Sequence, residues 1–287
     1  MALFGRKRTE SQKRIDMERL IVERFAAQGA SGELVHDPDD PLNTHLRTST
    51  GVWGFGNLML KLLQQPEKAW RATIDAHVTT MLRPTQSPDL TTPAGRRLLR
   101  ARIMPAAAEP LSWDYALPFA GDLVEILCID LPDKVMTVGD EMLVGSDVSE
   151  LRAIGRLNLQ AEGIDEYTEV AKDIMLAEGQ SLFVASQVLN PEYVSARIRP
   201  GTAGFVVAMP NRHTLLHHVV RGAESVATIS RLAGYVWSID RDTRPGAFLS
   251  PHTFYISPEG AQQITHVDAD GEMTIRAEGP FLDAINR

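Results

Sequence analysis

The sequence predicts an α+β protein of mixed helices and mostly antiparallel sheets, in two halves joined by a Pro-rich segment. Three observations lead there. Apolar residues fall in helical stripes in some segments, as Trp70, Ile74, Val78 and Met81 do at steps of four, four and three. Elsewhere they form short continuous runs, as in Leu123, Val124, Ile126, Leu127, Cys128 and Ile129, which read as buried strand. The two kinds of segment follow one another without regular alternation, which disfavours a doubly wound α/β sheet.

Taken in order, the first element is a helix over residues 11–28, with Ile15, Met17, Leu20, Ile21, Val22 and Phe25 apolar and Gly29 and Gly32 at its end. A short strand at 33–36 runs into the acidic cluster at 37–41, where two prolines and no distal glutamate argue for a solvated turn over a calcium loop. A partner strand is expected over 45–50. Next, Gly51-Val52-Trp53-Gly54-Phe55-Gly56 lacks the lysine of a phosphate loop and reads as a strand-to-helix turn. Helices are expected over 57–64 and 66–82, with Pro66 suited to the first turn.

Pro84, Pro88 and Pro93 with intervening Ser and Thr mark residues 83–96 as a linker or exposed loop. It separates an N-terminal helix-rich half, 1–82, from a C-terminal α+β domain, 97–287. In the second half an apolar stretch at 98–104 precedes the strand at 122–131, which turns at Pro132-Asp133 into 134–138. Helices are expected at 146–160 and 180–189, with a strand at 166–175 between them. Strands follow at 204–209 and 214–220, then a helix over 223–239 with Val226, Ile229, Ala233, Val236 and Trp237 along one stripe. The tail at 253–276 reads as two or three short strands. No internal repeat is visible.

Charge and composition exclude several functions. The chain carries 29 Lys+Arg against 37 Asp+Glu, a formal charge of −8. Residues 1–24 hold seven basic and four acidic residues, which leaves −11 on the remainder. So acidic a body is a poor surface for nucleic acid. The basic start Gly5-Arg6-Lys7-Arg8 reads as a solvated terminus. There is no apolar run of membrane-spanning length and no signal-peptide core, and a single cysteine makes neither an internal disulfide nor a cysteine-based zinc site. The expectation is a cytoplasmic protein without cofactor or metal, its oligomeric state open.

Catalytic motifs are missing. There is no Gly-x-Ser-x-Gly elbow, kinase signature set or dinucleotide fingerprint. Cys128 sits inside an apolar run with no charged neighbour to activate it, and reads as a packed small hydrophobe. His213 and His217 share a face on a helix or a strand. On a strand they stand roughly 13 Å apart, too far for one metal. Glu166/Glu169 and Asp240/Asp242 are acidic pairs of a kind chance supplies among 37 carboxylates. Arg96, Arg97, Arg100 and Arg102 cluster, and Arg100 and Arg102 point the same way on a strand.

The run 122–130, then Glu150-Leu151, Asn158-Leu159, Ala185-Ser186-Gln187-Val188-Leu189 and Val206-Val207-Ala208-Met209-Pro210 leading into Leu215-Leu216, resembles the YtpQ-like bacterial family of unknown function. Arg102-Ile103-Met104-Pro105 is similar to a short arginine-and-proline segment of that family, and the N-terminal half, with Asn57-Leu58, is similar more loosely. The resemblance implies a bacterial cytoplasmic protein and no reaction. The leading expectation is a non-catalytic module that binds a protein or small ligand. The alternative is a hydrolase-type enzyme whose carboxylates and arginines converge only in the fold, at the junction of the halves. A purely structural role is third. Candidate ligand-binding residues are Arg100, Arg102, Asn158 and His213; no catalytic residue and no metal ligand is assigned.

Overall fold

The computed structural model describes residues 9–36, 44–49, 51–84, 87–106, 113–201, 203–238, 248–268, 270 and 272–287. The basic start, the acidic turn at 37–41, the alanines at 107–108 and the pair Asp240/Asp242 lie outside them. The protein is α+β, and every described strand pair is antiparallel. It divides into two compact units, with the boundary between residues 86 and 87. Among the described residues, no helix is long and apolar enough to cross a membrane.

In the first unit, helix α1 (Glu10–Ala27) starts where Thr9 Oγ accepts the Gln12 N–H at 3.2 Å, filling one of the orphan donors of a helix start. Strands β1 (Gly32–His36), β2 (Thr44–Thr48) and β3 (Gly51–Gly54) form a meander, so the glycine-rich run is a third strand that then turns into α2 (Gly56–Leu63). Helix α3 (Glu67–Leu82) follows, with Pro66 just ahead of its first turn. Met17, Ile21, Phe25, Leu46, Phe55, Trp70, Ile74 and Val78 meet in one core. This is the helical stripe the sequence shows, buried against its neighbours.

The second unit opens inside the segment expected to be a linker. Thr92 caps a short helix, α4 (Pro93–Arg97), by accepting the Gly95 N–H. Here Pro93 starts a helix, because its missing N–H costs nothing in the first turn. Strands β4 (Leu99–Pro105), β5 (Leu117–Ala120), β6 (Leu123–Asp130) and β7 (Val135–Thr137) then form a sheet in which β6 pairs with all three others. Helix α5 (Val148–Asn158) is capped by Asp147.

A six-stranded sheet completes the unit. Its order is β13-β12-β10-β11-β9-β8, built from β8 (Glu166–Ala171), β9 (Ile174–Glu178), β10 (Phe205–Asn211), β11 (Thr214–Val219), β12 (Thr253–Ser257) and β13 (Gly260–Gln263). Residues 166–178 are thus a hairpin, not one strand. Between β9 and β10, the helix expected over 180–189 is confined to a 3-10 segment, Ala185–Leu189. The carbonyls of Gly179 and Ser181 face the His213 ring, which holds that stretch out of a helical ladder. Helix α6 (Pro191–Tyr193) continues into a π-helical turn, Val194–Ile198.

Alternation along β10 sends Val206 and Ala208 to one core, with Ile229, Leu232 and Val236 of α7 (Val226–Trp237) and Phe281 of α8 (Gly279–Ile285). Phe205, Val207 and Met209 go to the opposite core, with Val184, Tyr193 and Ile198, and with Ile103 and Leu123 of the smaller sheet. A small hairpin, β14 (Thr265–Val267) and β15 (Met273–Ile275), completes the tail, which therefore holds four strands.

Candidate functional site

The register of β4 on β6 sorts their side chains. Arg100 stands opposite Cys128, Arg102 opposite Ile126 and Met104 opposite Val124. With a side-chain period of two, Arg100, Arg102, Met104, Val124, Ile126, Cys128 and Asp130 share one face. The other face carries Leu99, Ala101 and Ile103 with Leu127 and Ile129, and takes α5. Glu125 is buried on that second face and is held by the Arg156 guanidinium through both carboxylate oxygens, with Arg152 at 3.6 Å. It is a structural ion cluster, and it leaves the first face to the two arginines.

Arg100 is committed inside the fold. It is 8% exposed, its Nε donates to Glu162 at 2.6 Å, and it lies 3.5 Å from Asp130. It also donates to the carbonyls of Arg97 and Leu99. Ser181 Oγ donates to the other Glu162 oxygen at 2.7 Å. Burial raises the Asp130 carboxyl above the usual carboxylate range, and the neighbouring Glu162 charge adds to it against the pull of Arg100. Asn158 is also committed: its Nδ2 donates to the carbonyls of Arg96 and Leu99 at 2.8 and 3.0 Å, pinning the end of α5 to the start of β4.

Arg102 is different. It is as buried as Arg100, at 8% exposed, yet no carboxylate among the described residues pairs with it and its Nε has no hydrogen-bond partner. Its guanidinium lies against the Cys128 thiol, a weak acceptor whose pKa burial pushes up, so the thiol stays neutral. His213 lies close enough that the Arg102 charge helps hold its pKa below 6.5, after burial and Arg212. His213 sits in the turn between β10 and β11, where Asn211 Oδ1 accepts its N–H. Of the four predicted residues, all within the second unit, Arg102 keeps an unpartnered Nε, and His213 is near enough to feel its charge. Arg100 and Asn158 serve to position β4.

The three clustered histidines do not converge. His213 bonds the carbonyls of Gly179 and Ser181, and His218 Nδ1 bonds the carbonyl of Asp173. His217 is 2% exposed, its Nε2 lies 3.0 Å from the Tyr167 hydroxyl, and burial lowers its pKa to about 4. The Tyr167 hydroxyl donates to the Arg197 carbonyl in the π-helical turn. That leaves Nε2–H as the donor to it, and Nδ1 bare in the core. Among the described residues, no three His, Cys, Asp or Glu side chains gather as metal ligands do.

Asp130, Glu162 and Ser181 carry no local signature. Glu162 reaches Arg100 across 62 residues of sequence, so only the strand register and the turn after α5 bring them together. Comparison with protein-family models, curated proteins and solved structures finds no match.

Proposed function

We propose that this protein is a non-catalytic ligand-binding module of the bacterial cytoplasm, YtpQ-like in type, whose ligand presents an anionic group to Arg102. One observation carries the reading: a guanidinium buried beside a neutral thiol, with no carboxylate partner among the described residues. An uncompensated buried charge costs several kcal/mol, and an arriving anion repays that cost. The planar fork of an arginine also suits two-point recognition of a carboxylate or phosphate. Half-buried His213 adds a ring that burial keeps neutral near pH 7, a polar neighbour without a competing charge.

The test is native mass spectrometry of protein purified gently from its own kind of cell, joined to thermal-shift measurements with acetate, inorganic phosphate and sulfate. Retained mass that Arg102→Gln loses, or stabilisation by an anion that the variant abolishes, is the expected result. A protein-only mass, with no anion response in either protein, defeats the reading.

A second reading, a hydrolase-type enzyme, draws on the Asp130/Glu162 pair. Two carboxyls on one guanidinium, one of them raised, have the composition of an acid–base pair. Turnover of p-nitrophenyl esters, phosphates or glycosides that Glu162→Gln abolishes favours it; no turnover across that panel counts against it.

A further inference from the structure

We infer that the anion Arg102 receives is the carboxylate of an amphipathic molecule, an alkyl carboxylate of medium chain length, whose apolar body runs along β4 and β6 past Met104 and Val124. The inference rests on the anion-binding reading above and narrows it to a class of ligand. Charge comes first. Among the described residues the face offers a single cation without a carboxylate partner, because Arg100 is already shared by Glu162 and Asp130. Those carboxylates stand near Arg100, two positions from Arg102 and so roughly 7 Å along the strand. A phosphate dianion or a polyanion placed on Arg102 meets them at close range, whereas a monoanion is matched by one guanidinium.

Polarity along the strands supplies the second half. At one end of the face stand Arg100, Cys128 and Asp130, in the middle Arg102 and Ile126, and at the other end Met104 and Val124, opposite each other in the register. Met104, Val124, Trp113, Leu182 and Leu189 are only partly buried, and they pack around the buried Ile126, Cys128 and Phe183. Apolar side chains left half-covered next to a buried, unpaired cation form a surface with one charged point and an apolar continuation. An alkyl carboxylate has the complementary distribution. Each methylene it buries strengthens binding roughly fourfold.

Isothermal titration calorimetry on the full chain with acetate, hexanoate, decanoate and decan-1-ol tests this. Affinity is expected to rise from acetate to decanoate, and decan-1-ol to bind roughly tenfold or more weakly than decanoate, the size of one charge-assisted contact. In Arg102→Gln the preference for the acid over the alcohol disappears. Met104→Asp, at a partly buried position, weakens decanoate and leaves acetate unaltered; circular dichroism checks that both variants fold. If acetate or inorganic phosphate binds as tightly as decanoate and still requires Arg102, the anion site stands and the alkyl carboxylate is overturned. If no acid binds the wild type, both readings fall.

Discussion

Arg100 and Arg102 stand two positions apart on one face of β4, equally buried, and their partners alone distinguish them. Replacing Arg100 with Met strands Glu162 and Asp130 beside each other without their cation, and is expected to cost about 3–5 kcal/mol of stability. Replacing Arg102 with Met removes a charge that has no carboxylate partner among the described residues and substitutes an apolar side chain opposite Ile126. In the ligand-free protein that change is expected to be neutral or stabilising, by up to about 3 kcal/mol. Urea denaturation of the two variants measures the contrast, and losses of equal size in both would refute this division of roles. The sequence makes the shared direction of the two arginines visible through its period of two. It carries no sign of which one is neutralised, since Glu162 lies far along the chain and belongs to no motif.

At the scale of elements, the candidate face depends on how closely α5 approaches β4. Gly155 makes that approach possible: a Cβ there would meet the Ala101 backbone nitrogen at 2.9 Å and the Arg100 carbonyl carbon at 3.2 Å. Alanine normally favours a helix interior by about 1 kcal/mol over glycine. Here backbone atoms of a paired strand cannot yield, and overpacking of this kind costs about 1–3 kcal/mol. Gly155→Ala is therefore expected to destabilise the protein, by up to about 2 kcal/mol net, and to weaken any anion binding by shifting β4. A thermal midpoint raised by this substitution would contradict the packing account. Elements with a strong period were legible in sequence: α1, α3, β6, β10 and α7 fall close to where their apolar patterns place them. Strand β5, helix α8 and the π-helical turn were not. Leu117–Ala120 is short and half-exposed, Gly279–Ile285 buries only Phe281 and Ala284, and π geometry has no periodic signature in so short a run. Within residues 83–96 proline reads as a break in sequence, yet Pro93 starts α4.

For the whole molecule, the first unit has a core formed within residues 17–82, and the second has its own cores formed after residue 87. Unfolding need not be a single transition. His213, His217 and His218 all lie in the second unit, and burial lowers all three. For a histidine whose folded pKa lies below its unfolded value, the unfolded chain binds the proton first. Stability is therefore fully present above about pH 6.5 and is lost as the pH falls towards about 4, where His217 itself titrates. For His217 alone that loss is about 3 kcal/mol. Asp130, raised above its usual range, acts in the opposite sense, but near and below its own pKa. The second unit's transition, followed by urea denaturation between pH 7.5 and pH 4.5, is thus expected to weaken steadily, and more than that of the first unit, where burial lowers His77 in the same direction. His217→Phe keeps a ring against Tyr167 and removes the proton site, so it should flatten the second unit's pH dependence even where it lowers stability overall. An unchanged slope in that variant would place the acid sensitivity elsewhere in the molecule.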